Sequence, residues 1–361
     1  MPSALITASA VETPRPAREA SLAGQDGGAS ATSSAASSST VLPSDLVNDS
    51  LPIGGSKWLF RLSPEKRDAL RALHDVRTSW NWVAAIYPAM WIGTSVLITL
   101  VPTLPVRLIG YVIIGVSIHA MAVLTHEASH YSMFRSRTWD RWVGFLMGAP
   151  VFVSHTAYRV LHGFHHRYTR QGEDPDEFNN VTKSRFLLSV FFYAWLIIGT
   201  PVYMFHVGLT GLIRGTWRDR FDILVEYALL VLLFGGAYAT ARHYGRTDIF
   251  LHCWALPMII AMVFGNVRSW AEHTMTIPGD PFTRTRTVLS NRVVSFLMCN
   301  LNYHLEHHLC PGIPWYNLPK MHVLMREEYR RADSFVYRSY LRFLWDAFRH
   351  GVHGIAHMPG F

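Results

Sequence analysis

The chain has 361 residues, of which 50% are hydrophobic and only 16% are charged, and its formal net charge at pH 7 is +8. Soluble domains carry about 25% charged residues, so this composition excludes an ordinary soluble domain and indicates an integral membrane protein. A positive balance is typical of the cytosolic loops of membrane proteins, and the lack of basic stretches interleaved with aromatic residues argues against a nucleic-acid partner.

The N-terminal region differs in composition from the rest of the chain. Residues 29–40 consist of serine, alanine and threonine, and no apolar run in residues 1–55 is long enough for a signal peptide. This bias predicts a disordered tail over residues 1–55, followed by one membrane domain over residues 56–361. Residues 63–75 have an amphipathic pattern, so we expect them to lie along the membrane surface.

Five apolar runs then follow, each near the roughly 20 residues that a helix needs to cross a bilayer. Four of them are predicted to form two transmembrane hairpins and lie at about residues 80–101, 106–124, 223–241 and 249–267. The remaining run, about residues 186–209, is interrupted by Gly199, Thr200 and Pro201. Because proline breaks a regular helix, this run is predicted to be an interfacial or re-entrant helix.

The position of the histidines supports this assignment. Three apolar runs separate the histidines at 162–166 from His273, and three crossings would place His273 on the opposite side of the membrane. The sequence therefore predicts an all-α integral membrane protein with four transmembrane helices in two hairpins. A cytosolic helical cap, including residues 320–348, would carry the histidines. The positive-inside rule places the histidines and both termini in the cytosol.

Nine histidines occur at spacings that suit metal binding. Residues three or four apart share one face of a helix, so each group is expected to point its imidazoles into one space. A metal of this kind takes about four to six ligands, so nine imidazoles indicate two metal ions. The nine predicted ligands are His126, His130, His162, His165, His166, His273, His304, His307 and His308.

Two other metal motifs overlap the first group. His126, Glu127 and His130 satisfy H-E-x-x-H, the signature of zinc proteases, in which the glutamate is the general base. Glu127 and His130 also satisfy the E-x-x-H motif of soluble di-iron proteins, although no second copy occurs. Both alternatives leave most of the other histidines unexplained. A non-enzymatic metal carrier is a third alternative, but its ligands would be expected inside the spans.

The three groups resemble the histidine boxes of the membrane fatty acid desaturase and hydroxylase superfamily, which we call box 1, box 2 and box 3 in chain order. They read H-x-x-x-H at 126–130, H-x-x-H-H at 162–166 and H-x-x-H-H at 304–308. Similar flanking residues include Asp174-Pro175-Asp176 after box 2 and Pro314-Trp315 after box 3. The resemblance covers about residues 80–325.

The resemblance implies two non-haem irons on the cytosolic face, with O2 and two electrons used to attack an unreactive C–H bond. It also assigns His273 as the lone ligand between boxes 2 and 3. Imidazole ligands usually need carboxylates to fix their orientation. The candidates near the boxes are Glu127, Asp174, Asp176, Glu272 and Glu306.

A fatty acid desaturase that introduces a C=C bond is the favoured function. A hydroxylase, a terminal-alkene-forming fatty acid decarboxylase and a carotenoid hydroxylase or ketolase remain alternatives within the superfamily. With no fused electron-transfer module, the electrons are expected from a ferredoxin or a cytochrome b5 with its reductase. The compact, unfused form favours a bacterial inner membrane.

His119 and His252 lie within spans and are predicted to bond across helices rather than bind metal.

Overall fold

The computed structural model describes residues 56–351, and the predicted disordered tail therefore lies outside the described residues. This part of the chain is mostly helical, as predicted. Its α-helices are α1 Pro64–Ala72, α2 Val83–Leu100, α3 Leu104–Ser129, α4 Arg137–Gly148, α5 His155–Tyr168, α6 Arg185–Arg214, α7 Trp217–His243, α8 Thr247–Phe250, α9 Leu256–His273, α10 Arg292–Leu297, α11 His304–Leu309, α12 Leu318–Leu324, α13 Arg326–Arg331 and α14 Tyr340–His350.

Shorter elements connect these helices. A π turn, Leu251–Ala255, joins α8 to α9, and 3-10 turns occupy Ser56–Arg61, Thr78–Trp82, Ala149–Val151, Phe178–Asn180 and Trp315–Asn317. Two strands of three residues each, β1 Arg286–Val288 and β2 Phe335–Tyr337, pair in parallel, with Arg286 opposite Phe335. The prediction of a purely helical protein missed this small sheet, because three residues are too few to produce a recognisable strand pattern.

Five helical segments of the described residues are long and apolar enough to cross a membrane. They are Thr78–Leu100, Leu104–Ser129, Arg185–Arg214, Trp217–His243 and Thr247–His273. Four of these coincide with the predicted spans. The predicted connections are also present, namely the turn between α2 and α3 and the short loop between α7 and α8. By length and composition alone, α6 could also cross the membrane, although it was predicted to be interfacial.

The predicted break in α6 was wrong. The helix continues through Pro201 from Arg185 to Arg214. Pro201 removes one helical hydrogen bond, the one to the carbonyl oxygen of Ile197, and packing against neighbouring helices can support a membrane helix at such a point. Here Asn266 of α9 donates from Nδ2 to the carbonyl oxygen of Leu196 at 3.2 Å, and Thr200 donates to Asn266 Oδ1 at 2.6 Å. These contacts hold the proline region of α6 against α9.

The second half of α6 contacts the segment that follows box 2. The Tyr203 hydroxyl donates to Asp176 at 3.4 Å, and His206 Nε2 lies 3.0 Å from the carbonyl oxygen of Pro175. Near the end of the helix, Arg214 donates to the carbonyl oxygen of Glu173 at 3.0 Å. The C-terminal half of α6 therefore lies on the same side of the protein as box 2.

Helix α3 lies at the centre of the described structure, because its second half packs against α2, α4, α5 and α9 and is almost entirely buried. Helix α5 begins at His155 because the Ser154 side chain caps the amide of Ala157 at 3.1 Å. A buried carboxylate on α7 holds this helix start. Glu226 accepts hydrogen bonds from Ser154 Oγ at 2.7 Å and from the Thr156 amide at 3.0 Å and hydroxyl at 2.6 Å.

Replacing Glu226 by glutamine should lower the free energy of unfolding by about 1–3 kcal/mol, because an amide nitrogen cannot accept the hydrogen bonds of Ser154 or Thr156. Thermal unfolding in detergent would measure the change. Asp222→Asn on the same helix is the matched control, since the Asp222 side chain is 31% exposed and pairs with Arg141 near the surface. Such a pair contributes less than about 1 kcal/mol. Equal losses in the two variants would contradict the proposed anchoring role of Glu226.

Candidate metal centre

Four segments bring all nine predicted histidines into one region. Helix α3 contributes His126 from its last turn, and His130 follows directly after the helix. Helix α5 carries box 2, His273 ends α9, and the short helix α11 carries box 3. The nine side chains separate into two clusters rather than one. The first cluster contains His126, His130, His162, His166 and His307, and the second contains His165, His273, His304 and His308.

In the first cluster, one ligand atom from each of the five histidines lies within 4.8 Å of the others, and all five side chains are buried. Four ring nitrogens form a chain of close contacts. His162 Nε2 lies 2.9 Å from the Nε2 atoms of both His130 and His166, and His166 Nε2 lies 2.9 Å from His307 Nε2. A neutral Nε2 can either donate one hydrogen or accept one, so protons alone cannot satisfy every contact in this chain.

The second cluster has similar contacts. His304 Nε2 lies 2.9 Å from His273 Nε2 and 3.0 Å from His308 Nε2. His165 groups with His273 and His308 within 4.8 Å. The carboxylate of Glu272 also belongs to this side, because its Oε1 lies 3.5 Å from His304 Nδ1. The second cluster therefore offers four imidazoles with a carboxylate beside them.

The donor set of both clusters fits metal ions. Among residues 56–351, neither ring nitrogen of the buried His126 has a hydrogen-bond partner. Such an unpaired buried group is costly unless a ligand occupies the site. Burial and the neighbouring imidazoles hold the pKa values of five histidines well below their usual range. These histidines are His162, His166, His304, His307 and His308. These lowered pKa values favour the neutral form of the five rings, which is the form that binds metals.

His165 is held by two of the predicted carboxylates. Its Nδ1 lies 2.9 Å from Asp174 Oδ1 and 3.7 Å from Asp176 Oδ2. Burial would lower the pKa of His165, but the attraction of Asp174 and Asp176 outweighs burial and raises the pKa to about 9. Asp174 is itself fixed by the backbone amides of Arg170 at 2.8 Å and Asp176 at 3.0 Å. This arrangement orients Nε2 of His165 toward the second cluster.

The other predicted carboxylates have different partners. Glu272 accepts a hydrogen bond from Arg268 at 2.6 Å in addition to its approach to His304. Glu127 accepts hydrogen bonds from Ser132 Oγ at 2.7 Å and from the Trp315 amide at 2.9 Å, and so connects the end of α3 to the chain after box 3.

Glu306 lies within box 3 and accepts hydrogen bonds from Thr287 on β1 and from His322 Nδ1 on α12, the latter at 2.6 Å. This carboxylate therefore connects α11 to the surrounding elements of the cap.

A buried arginine, Arg286, positions His273. It was not among the residues predicted from the sequence. Arg286 of β1 donates to the carbonyl oxygens of Ala271 at 2.6 Å, Thr274 at 2.7 Å and Met275 at 3.0 Å. These carbonyl groups surround the C-terminal end of α9, where the backbone acceptors of a helix are unpaired. The guanidinium thereby fixes the helix end that carries His273. The sequence gives no local signal for this role, because Arg286 and its acceptors are more than ten residues apart.

A cavity of about 480 Å³ extends from the histidines between α3, α5, α6 and α9. Five of the nine histidines line it, namely His126, His162, His165, His273 and His304. Apolar side chains such as Val123, Met204, Met258 and Met262 also line it. A cavity of this kind can hold an apolar chain next to the clusters and keep water away from the reacting position.

Two histidines within the predicted spans have different surroundings. His252 contacts the Tyr111 hydroxyl of α3 through Nδ1, which confirms the predicted bond across helices. His119 does not follow this prediction, because its Nε2 is buried and has no hydrogen-bond partner in the described part of the chain. Its ring instead lines the cavity.

Comparison with known proteins agrees with this geometry. Residues 102–341 match the family model described as fatty acid desaturase. The chain is 28% identical over 287 residues to a dihydrorhizobitoxine desaturase from Bradyrhizobium elkanii, covering 73% of this chain and 80% of the relative. It is 26% identical to a sphingolipid delta(4)-desaturase from Bos taurus, covering 63% and 68% of the two chains, and 24% identical to an sn-1 oleoyl-lipid 12-desaturase from Arthrospira platensis, covering 66% and 73%. Since the family match spans all three histidine boxes and His273, the chain belongs to the fatty acid desaturase family.

Proposed function

We propose that this protein is a membrane-bound, O2-dependent, non-haem di-iron oxidoreductase that introduces a C=C bond into a fatty acyl chain. The observation that carries the proposal is the pair of histidine clusters, five of whose members line a largely apolar cavity. The first cluster would hold one iron through His126, His130, His162, His166 and His307, and the second would hold another through His165, His273, His304 and His308. The irons, when bound, would use O2 and two electrons to oxidise an unactivated C–H bond.

The residues of the chain itself would bind the irons, orient the ligands and exclude water. Asp174 and Glu272 approach the imidazoles of His165 and His304 and would fix their orientation. Tyr158 lines the cavity beside His126, with the two ring centres 6.2 Å apart. Together with the apolar residues of α3 and α9, it would keep an alkyl chain close to the clusters and separated from bulk water.

Desaturation is favoured over hydroxylation because the relatives are named for this reaction, although their names give different substrates.

The test is a product analysis by mass spectrometry. Protein in lipid nanodiscs would receive fatty acyl lipids, O2 and electrons from a ferredoxin or from a cytochrome b5 with its reductase. A product lighter by two hydrogens would support a desaturase. A product heavier by one oxygen would identify a hydroxylase, and loss of the carboxyl group would identify a decarboxylase. A carotenoid hydroxylase or ketolase would act only when carotenoids are added.

We further propose that α6 lies along the membrane interface and that the other four long helices cross the membrane. The contacts of α6 with Glu173, Pro175 and Asp176, which follow box 2, support this arrangement. With four crossings, box 1, box 2, box 3 and His273 all lie on one side. The positive-inside rule places that side and both termini in the cytosol, which fits a bacterial inner membrane.

Glu127→Gln distinguishes this proposal from a membrane zinc protease. In a protease Glu127 would be the general base, and its loss would abolish activity. In the desaturase, the glutamine can still accept a hydrogen bond from Ser132 or Trp315, so we expect iron to stay bound and turnover to fall less than about tenfold. Turnover and iron content of the purified variant would measure this. Complete loss of turnover with iron still bound would contradict a purely structural role of Glu127.

A further inference from the structure

Three polar residues and a glycine that leaves space between them line the otherwise apolar part of the cavity. They are His119 on α3, Thr200 on α6, and Gly265 and Asn266 on α9, and all four line the cavity. We call these residues the polar belt. A hydrocarbon chain alone would need no hydrogen-bonding groups at this level, so the belt requires a separate explanation.

His119 offers an unused hydrogen-bonding atom. The side chain is buried, and in the described part of the protein its Nε2 has no hydrogen-bond partner. The nearest ring is that of Phe264, with the two ring centres 6.1 Å apart. A polar group that is buried in a membrane protein without a partner is costly, so such a group generally marks a ligand or a functional path.

The hydroxyl oxygen of Thr200 offers a hydrogen-bond acceptor on the opposite helix, α6. Its hydroxyl donates to Asn266 Oδ1 at 2.6 Å, and Asn266 Nδ2 donates in turn to the carbonyl oxygen of Leu196 at 3.2 Å. The one proton of the Thr200 hydroxyl is therefore committed, and its oxygen can only accept a further hydrogen bond. A group that binds beside Thr200 must carry a hydrogen-bond donor.

Gly265 leaves space for such a group between Thr200 and His119. A methyl group at this position would lie 3.7 Å from Thr200 Oγ1 and 3.9 Å from His119 Cδ2, which is ordinary van der Waals contact. One small group can therefore approach both residues at once. A hydroxyl group both donates and accepts, so it could serve Thr200 together with either tautomer of His119.

We propose that the polar belt binds a hydroxyl group on the substrate chain. His119 precedes His126 by seven residues on α3, so the bound hydroxyl would lie about 10 Å along the helix from the first cluster. The ligand group is neutral, because Arg268, the charged residue next to the belt on α9, is already paired with Glu272 at 2.6 Å. This inference rests on the proposed function, since it defines the substrate as a lipid chain hydroxylated at a fixed distance from the reacting carbon.

The test compares the binding of matched chains. Octadecanoic acid and a series of hydroxyoctadecanoic acids, with the hydroxyl at successive positions, would be titrated into the iron-loaded protein in nanodiscs. Gly265→Ala would fill the space of the hydroxyl without a steric clash, and Gly236→Ala on α7 is the matched control because nothing lies within 4 Å of its added methyl group. His119→Leu removes the hydrogen-bonding ring as a second, independent variant.

We expect one hydroxylated isomer to bind roughly five- to tenfold more tightly than octadecanoic acid, as one or two buried hydrogen bonds would give. The preference should disappear in Gly265→Ala and His119→Leu and should persist in Gly236→Ala. The inference is overturned if no hydroxylated isomer is preferred, or if the preference survives in both belt variants. Failure of the proposed function would instead appear as protein that binds no iron or forms no unsaturated product, whichever chain it prefers.

Discussion

His307→Ala is expected to abolish formation of the unsaturated product and to release iron from the first cluster. His307 Nε2 lies 2.9 Å from His166 Nε2, and His307 is the only box 3 residue in this cluster of the described chain. Removal of groups that merely orient a ligand costs about 10–100-fold in metal affinity, so removal of a ligand should cost more than about 100-fold in activity. Iron content and product formation of the purified variant would measure both effects.

His243→Ala is the matched control for this prediction. His243 is the last residue of α7, is exposed and belongs to neither cluster. We expect this variant to keep its iron and its activity. Full activity of His307→Ala would show that the reaction does not need His307, as expected of a zinc protease that uses only His126, Glu127 and His130.

Asp174→Asn should weaken the second cluster selectively, by about 10–100-fold in iron affinity. The carboxylate lies 2.9 Å from His165 Nδ1, and the neutral asparagine keeps its shape while losing the charge that orients the protonated Nδ1. The first cluster contains neither residue and should keep its iron. We therefore expect the iron content to fall toward one ion per chain when free iron is scarce, and to recover when iron is supplied in excess.

Glu173→Gln is the control for Asp174→Asn, because Glu173 is the exposed neighbour of Asp174. It should bind as much iron as the unaltered protein under both conditions. Equal loss of both irons in Asp174→Asn would show that the two clusters do not bind metal independently. Unchanged iron content in Asp174→Asn would show that its contact with His165 is unimportant.

Much of the helical frame could be predicted from hydropathy, because four apolar runs with short connections directly indicate two hairpins. The continuity of α6 could not be predicted in this way. Proline is a local signal for a break, whereas the contacts that hold this region against α9 come from Asn266, which is more than sixty residues later in the chain. The pairing of β1 with β2 is missed for a related reason, since Arg286 and Phe335 are far apart in sequence and each strand has only three residues.

Eight of the nine histidines could be found from their spacing and His273 from the family resemblance, but their division between two clusters was not predicted. Each H-x-x-H-H box contributes to both clusters. His162 and His166, which are four residues apart, belong to the first cluster, whereas the intervening His165 belongs to the second. In box 3 the assignment is reversed, since His304 joins the second cluster and His307 joins the first.

This division has a simple geometric reason. Side chains four residues apart on a helix point about 40° apart, whereas adjacent side chains point about 100° apart. The pair at the ends of each box therefore turns toward one cluster, and the remaining histidine turns toward the other. The spacing alone predicts that each box divides in this way. Which cluster each pair joins depends on how α5 and α11 face each other.

The most direct test of the di-iron proposal is the metal content of the purified protein by elemental analysis, with iron supplied during expression and the protein concentration determined independently. We expect about two irons per chain and little zinc, as two clusters of imidazole ligands would hold. About one zinc per chain and no iron would contradict the proposal, and it would favour the zinc protease alternative that uses His126, Glu127 and His130.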